Sequence, residues 1–141
     1  IYDACVDLLP IAVGAFDEDR SALHLCPPTA AFREVLSLVE GCITDTGLSA
    51  SYAAEALGLS ERYVHKLFAK RGTTFGAYVT EQRLTRVRED LMRSSRYKPI
   101  TAIAYRWGFN DLSTFNRAFR KRFGCTPTEV RRNAGIQASE T

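Results

Sequence analysis

Apolar positions along this chain recur at intervals of three and four rather than two. Phe32, Val35, Leu36, Val39 and Ile43 fall at i, i+3, i+4, i+7 and i+11, which places one continuous stripe on the face of an α-helix. A short helix is predicted near 51–57 and broken at Gly58, where a left-handed residue past the last turn is natural. Ser60 then stands as the cap of a further helix whose inward residues are Val64, Leu67 and Phe68. A longer helix is predicted over about 75–92, turning Tyr78, Leu84, Val87 and Leu91 to the core. Pro99 precedes the next start. No convincing strand-like alternation is present, so the predicted class is all-α.

The pattern also repeats. Ala54-Glu55-Ala56-Leu57-Gly58-Leu59 aligns with Ala104-Tyr105-Arg106-Trp107-Gly108-Phe109. Phe68 lies ten residues beyond Gly58 and Phe119 eleven beyond Gly108, so the second turn is expected to be one residue longer. Gly72-Thr73-Thr74 corresponds to Gly124-Cys125-Thr126, and Thr126-Pro127-Thr128-Glu129 reads as a full capping box opening a last helix over about 127–133. Two copies of one helical unit are implied, each a short helix, a glycine turn and a second short helix. Ahead of them, residues 17–29 (DEDRSALHLCPPT) read as a linker ending in Pro27-Pro28, which places a boundary near residue 28. A short apolar segment within 3–16 suggests a further helical piece before it.

Charge sharpens this picture. The net charge of +3 over 141 residues conceals an asymmetry. Residues 1–59 carry two Arg/Lys against nine Asp/Glu, and residues 60–132 carry seventeen against six. The second block, at net +11, creates a field that favours a polyanion. The four cysteines are scattered and have only His24 and His65 to join them. They are expected to be reduced, small buried hydrophobes of a cytoplasmic protein, with neither a metal site nor another cofactor. No apolar run is long enough to span a bilayer, so no membrane partner is expected. No carboxylate pair, nucleophile–base set or phosphate loop supports an enzyme.

A paired short-helix unit of this kind is a helix-turn-helix, whose second helix fits the DNA major groove. Periodicity names the groove-facing side chains. With Val64, Leu67 and Phe68 inward, Arg62, His65, Lys66 and Ala69 lie opposite. With Phe115, Ala118, Phe119 and Phe123 inward, Ser113, Asn116, Arg117 and Arg120 lie opposite. Arginine and lysine can donate to guanine O6 and N7, and asparagine to adenine, at roughly 1–3 kcal/mol of discrimination per good pair. A single such arginine is more simply a solvated surface residue. Two similar faces in repeated frames favour the groove. A connector of 18 residues is a rod of roughly 27 Å, against about 34 Å between successive major grooves on one side of the duplex.

The residues ALGLSERYVHKLFAKRGTTFGAYV, QRLTRVREDLMRSS and especially ITAIAYRWGFNDLSTFNRAFRKRFGCTPTEVRR carry a resemblance to the DNA-binding domain of AraC/XylS-type bacterial transcription regulators. It covers about 48–132 and implies about seven helices, with helix-turn-helix subdomains at about 48–72 and 99–123 joined by a linker helix at about 75–92. The resemblance further implies that residues 29–135 form the DNA-binding domain. Residues 1–28 would then be the remnant of an N-terminal sensor or dimerisation domain, an expectation in keeping with a chain that opens on Ile1. Base-facing positions carry over onto Arg62, His65 and Lys66, and onto Leu112, Ser113, Thr114, Asn116 and Arg117. Leu112 is an exception to the periodic reading, which turns it towards Phe115 and the core. Phosphate contacts are expected at helix N-termini and surrounding cations: Ser60, Thr74, Thr128, Arg120, Lys121 and Arg131, with Arg96 and Lys98 further out.

The function expected from these residues is sequence-specific double-stranded DNA binding in transcription regulation, at an asymmetric site spanning successive grooves. The family's habit is activation, with RNA polymerase as protein partner. A small-molecule effector would act only through a sensor domain, and these residues themselves would be monomeric. The competing reading is a helical protein-interaction module whose cationic face binds an acidic partner.

Overall fold

A computed structural model describes residues 28–93 and 97–139, and the regular elements among them are all helices. In chain order they are α1 (Pro28–Cys42), α2 (Ala50–Leu57), α3 (Glu61–Ala69), α4 (Phe75–Arg93), α5 (Ile100–Arg106), α6 (Leu112–Phe123) and α7 (Pro127–Ser139). The described residues fall into two compact units, one of residues 28–42 and 47–78, the other of 43–46, 79–93 and 97–139. The helical piece expected within 3–16 and the linker before residue 28 lie outside the described residues.

The first unit is built around Phe68, which is fully buried. Its ring meets Phe32 edge-on at 5.1 Å between centroids, Phe75 at 5.4 Å and Tyr78 at 5.5 Å, within the range of favourable aromatic pairs. Helix α2 faces the core with Ala50, Ala53 and Ala54, small side chains that let α3 approach closely. Helix α1 buries Ala31, Val35 and Val39, while Phe32 and Leu36 sit half-buried at the edge of the stripe. The stripe was expected to run on to Ile43. The helix ends at Cys42 instead, and Ile43, though buried, belongs to the second unit. Arg71 caps the edge of this core: its guanidinium lies 3.7 Å above the Phe32 ring centroid and donates to the Leu67 carbonyl at 3.2 Å.

In the second unit the aromatic spacing of 109–123 becomes a ladder. Phe109 and Phe115 are 5.0 Å apart, Phe115 and Phe119 5.7 Å, and Phe119 and Phe123 4.7 Å. Leu84, Val87 and Leu91 of α4 and Ile103 and Ala104 of α5 close around it. Phe123 ends the ladder with Arg88 and Arg122 each 5.1 Å from its ring centroid, and Arg122 Nε donates to both carboxylate oxygens of Glu81 at 2.5 and 2.7 Å. Trp107 donates its indole N–H to Asp90 at 2.7 Å. The capping box at α7 forms as spelled: the Glu129 N–H donates to Thr126 Oγ1 at 3.2 Å, and the Thr126 N–H donates to Glu129 Oε2 at 2.6 Å. Helix α7 outruns its predicted end near 133 and reaches Ser139; no proline stands in that stretch to stop it.

Candidate nucleic-acid interface

Both units use the same device to turn from one short helix into the next. Gly58 and Gly108 adopt φ of +67° and +92°, a left-handed conformation that glycine alone adopts without steric cost. The Gly58 N–H bonds the Glu55 carbonyl and the Leu59 N–H reaches back to Ala54; the Gly108 N–H bonds Tyr105 and the Phe109 N–H reaches back to Ala104. This pair of bonds is the Schellman motif. Its following apolar residue, Leu59 or Phe109, is buried in each case, so the sequence repeat records a repeated turn. From the glycine to the next cap is two residues in the first turn, ending at Ser60, and three in the second, ending at Asp111.

Helix α3 starts at Ser60, whose hydroxyl accepts from the Tyr63 N–H at 3.1 Å. Tyr63, Val64, Leu67 and Phe68 are buried, which leaves Arg62, His65, Lys66 and Ala69 on the exposed side. His65 Nε2 lies 3.5 Å from Glu61 Oε1, with both side chains more than half exposed. Helix α6 buries Phe115 and Phe119 and exposes Ser113, Thr114, Asn116, Arg117, Arg120 and Lys121. Its last turn carries Arg120, Lys121 and Arg122, where cations suit the negative end of the helix dipole. Leu112 is half-buried and packs against the core cluster of this unit, as the periodic reading placed it. One side of each second helix is thus core, and the other carries cationic, amide and hydroxyl groups.

The residues assigned to phosphate differ in their surroundings. Thr74 is exposed, and its hydroxyl accepts from the Ala77 N–H at 3.1 Å, capping α4. Thr128, Arg120 and Lys121 are exposed, while Ser60 and Lys98 are half-buried. Arg131 is also half-buried, with Nε and Nη2 shielded and without a hydrogen-bond partner. Arg96 lies outside the described residues.

The sequence reading missed the cap of α6. Asp111 accepts from the N–H groups of Ser113 and Thr114, each at 3.2 Å, and from the Thr114 hydroxyl. An aspartate three residues ahead of Thr114 at a helix start is the signal that would have found it. The Thr114 hydroxyl first, then the two N–H groups, holds the Asp111 carboxyl below its ordinary range; the Thr126 N–H and hydroxyl do the same for Glu129. A carboxyl depressed in the folded state contributes stability that is complete above its unfolded value, near 4, and is lost as pH falls through the folded one. Thermal melts taken from pH 6 downward should therefore show the Tm falling from about pH 4. Asp111→Asn and Glu129→Gln should each flatten that fall, and an unchanged slope would show that the caps do not titrate with folding.

Among the described residues no group of three or more His, Cys, Asp and Glu is placed to hold a metal ion, and no helix is long and apolar enough to cross a membrane. Cys42 and Cys125 are free thiols.

A family model described as a helix-turn-helix domain matches residues 53–133. Transcriptional activator RhrA of Rhizobium meliloti (strain 1021) is 40% identical over 96 residues, covering 68% of this chain and 31% of that protein. Transcriptional activator NphR of Rhodococcus sp is 32% identical over 126 residues, covering 88% and 36%. This chain thus spans about a third of the length of the curated relatives it matches. A transcriptional regulator with an AraC-type DNA-binding domain from Chromobacterium violaceum superposes with a TM-score of 0.68 at 33% identity, over 75% of this chain and 93% of that one.

Proposed function

This chain belongs to the AraC/XylS family of DNA-binding transcription regulators, and on that premise we propose that it reads a specific, asymmetric duplex site with α3 and α6 in successive major grooves. The observation that supports this most is the division of each second helix into an apolar face packed on the core and an exposed face of groove-compatible side chains. Arg62, His65 and Lys66 would read one groove segment, and Ser113, Thr114, Asn116 and Arg117 the other, with Leu112 offering a methyl contact to thymine at most. Ser60, Thr74, Arg120, Lys121, Thr128 and Arg131 would hold the backbone, with Lys98 and Arg96 outside them. Helix α4, 19 residues and so about 28 Å long, would serve as the spacer. We propose residues 29–135 as the DNA-binding domain and residues 1–28 as linker and the end of a sensor region. A small-molecule effector would act only through the sensor domain itself. Activation, as in the names of RhrA and NphR, a cytoplasmic location and RNA polymerase as partner belong to the same proposal.

Selection of bound sequences from a random duplex pool tests it. An asymmetric motif of roughly 17–20 base pairs is expected, because two recognition helices one helical repeat apart read about that span. A motif confined to one groove segment would refute the two-groove reading. Absence of any duplex footprint at low salt would favour a protein-interaction module instead.

Within that site, Arg117→Ala should weaken cognate binding by about 1–3 kcal/mol and leave non-cognate binding nearly unchanged. Lys121→Ala should weaken all sequences alike and reduce the slope of log K against log salt by about one unit. Equal losses on both DNAs for Arg117→Ala would assign that side chain to phosphate rather than to bases.

A further inference from the structure

A serine or threonine hydroxyl facing a base edge is ordinarily an ambiguous reader, because it both donates and accepts and rotates to suit its partner. Thr114 is not in that position. Its hydroxyl hydrogen is committed to Asp111 Oδ2, the same oxygen that caps the Thr114 N–H. We propose that Asp111 fixes Thr114 as an acceptor-only reader, so that this position of α6 selects a base presenting an exocyclic amine in the major groove, cytosine N4 or adenine N6. The inference rests on the reading that α6 enters the major groove, and it concerns which bases that helix prefers there.

Three features on α6 support it. First, Asp111 holds two backbone N–H groups in addition to the hydroxyl, so its carboxylate is anchored on the first turn and cannot swing away without uncapping the helix. Second, Thr114 is exposed, and its lone pairs are its remaining hydrogen-bonding capacity once the hydrogen is given to Asp111. Third, the carboxylate itself is exposed beside Thr114, and a negative group there attracts an amine edge and repels the O6/N7 and O4 acceptors of guanine and thymine. Hydrogen bonding also keeps the Asp111 carboxyl in its ionised, acceptor form, with a contribution from the nearby Arg117 charge. Arg117 remains the donor-only reader of the helix, so neighbouring positions on one turn would select opposite edges: an acceptor edge at Arg117 and an amine edge at Thr114.

The test is selection from a random duplex pool with the wild-type chain, Asp111→Asn and Thr114→Val. Asparagine still caps through its carbonyl oxygen on the Ser113 N–H, while its amide nitrogen, standing where Oδ2 was, gives up the Thr114 N–H, donates to the threonine oxygen and releases the hydroxyl hydrogen towards the base. Wild type should show one position with a cytosine or adenine preference of roughly 2- to 12-fold, the worth of one net hydrogen bond. Asp111→Asn should abolish that preference or shift it to guanine or thymine, with the rest of the motif intact. Thr114→Val, a surface change that leaves the cap in place, should abolish it at the same position. Wild type and Asp111→Asn selecting the same base at every position would overturn the acceptor-only assignment while leaving the groove reading standing. A wild-type pool with no motif for α6 would overturn both, and the two failures are thereby distinct.

Discussion

Phe119→Ala should lower the stability of the second unit by about 3–5 kcal/mol, the range for removing a fully buried phenylalanine from a packed core. Phe119 is 0% exposed and sits between Phe115 and Phe123 in the aromatic ladder, at 5.7 and 4.7 Å. Truncation removes both ring pairs, each worth about 0.5–1.5 kcal/mol beyond area burial, and leaves a cavity against α4 and α5. A unit of some sixty residues has little stability in reserve, so a loss of this size takes most of it. The readout is built in: Trp107 is the sole tryptophan, and it packs against this same cluster with its indole N–H on Asp90. Its emission should report an unfolding midpoint shifted to much lower denaturant. A shift worth under about 1 kcal/mol would mean that the surrounding side chains collapse into the gap, and that the ladder is not the anchor of the helix carrying Arg117.

Much of this framework was readable from the residues because its signals are local. Caps, glycine turns and the capping box at Thr126 each involve atoms within a few positions of one another, and apolar spacing orients α3 and α6 without knowledge of what they pack on. What escaped the reading depended on distant partners or on competition between two local rules. Ile43 continues the stripe of α1 in spacing, yet the helix stops at Cys42 and Ile43 joins the other unit; periodicity cannot register where a chain changes core. Asp111 is an acidic residue among apolar and polar neighbours, and the apolar period that orients α6 begins inside the helix, so it does not mark where the helix starts. Arg83 gave no signal at all. Its partners are main-chain carbonyls 40 and 38 residues earlier, and a carbonyl has no side-chain signature.

Gly108→Ala should destabilise the second unit by roughly 2–5 kcal/mol, and the origin of that cost is separable into two parts. The first is conformational: an alanine at φ +92° costs about 1–2 kcal/mol, because its Cβ crowds the neighbouring carbonyl. The second comes from Arg83. A Cβ on Gly108 would lie 2.8 Å from the guanidinium carbon and from Nε. That guanidinium has little freedom to retreat, since Nε donates to the Ile43 carbonyl at 2.9 Å and Nη2 to the Asp45 carbonyl at 2.6 Å. A guanidinium displaced from these two carbonyls loses charge-assisted bonds worth about 1.5–3 kcal/mol. Gly58→Ala is the matched control. Its φ is +67° and nothing lies within 4 Å of the added Cβ, so the first unit should lose only the conformational part. A double-mutant cycle with Arg83→Ala completes the separation: in that background the Gly108→Ala penalty should fall to the Gly58→Ala level. Should the penalty at Gly108 be the same with and without Arg83, the guanidinium would not be held in place by its two carbonyls, and the second turn would require a glycine for backbone conformation only.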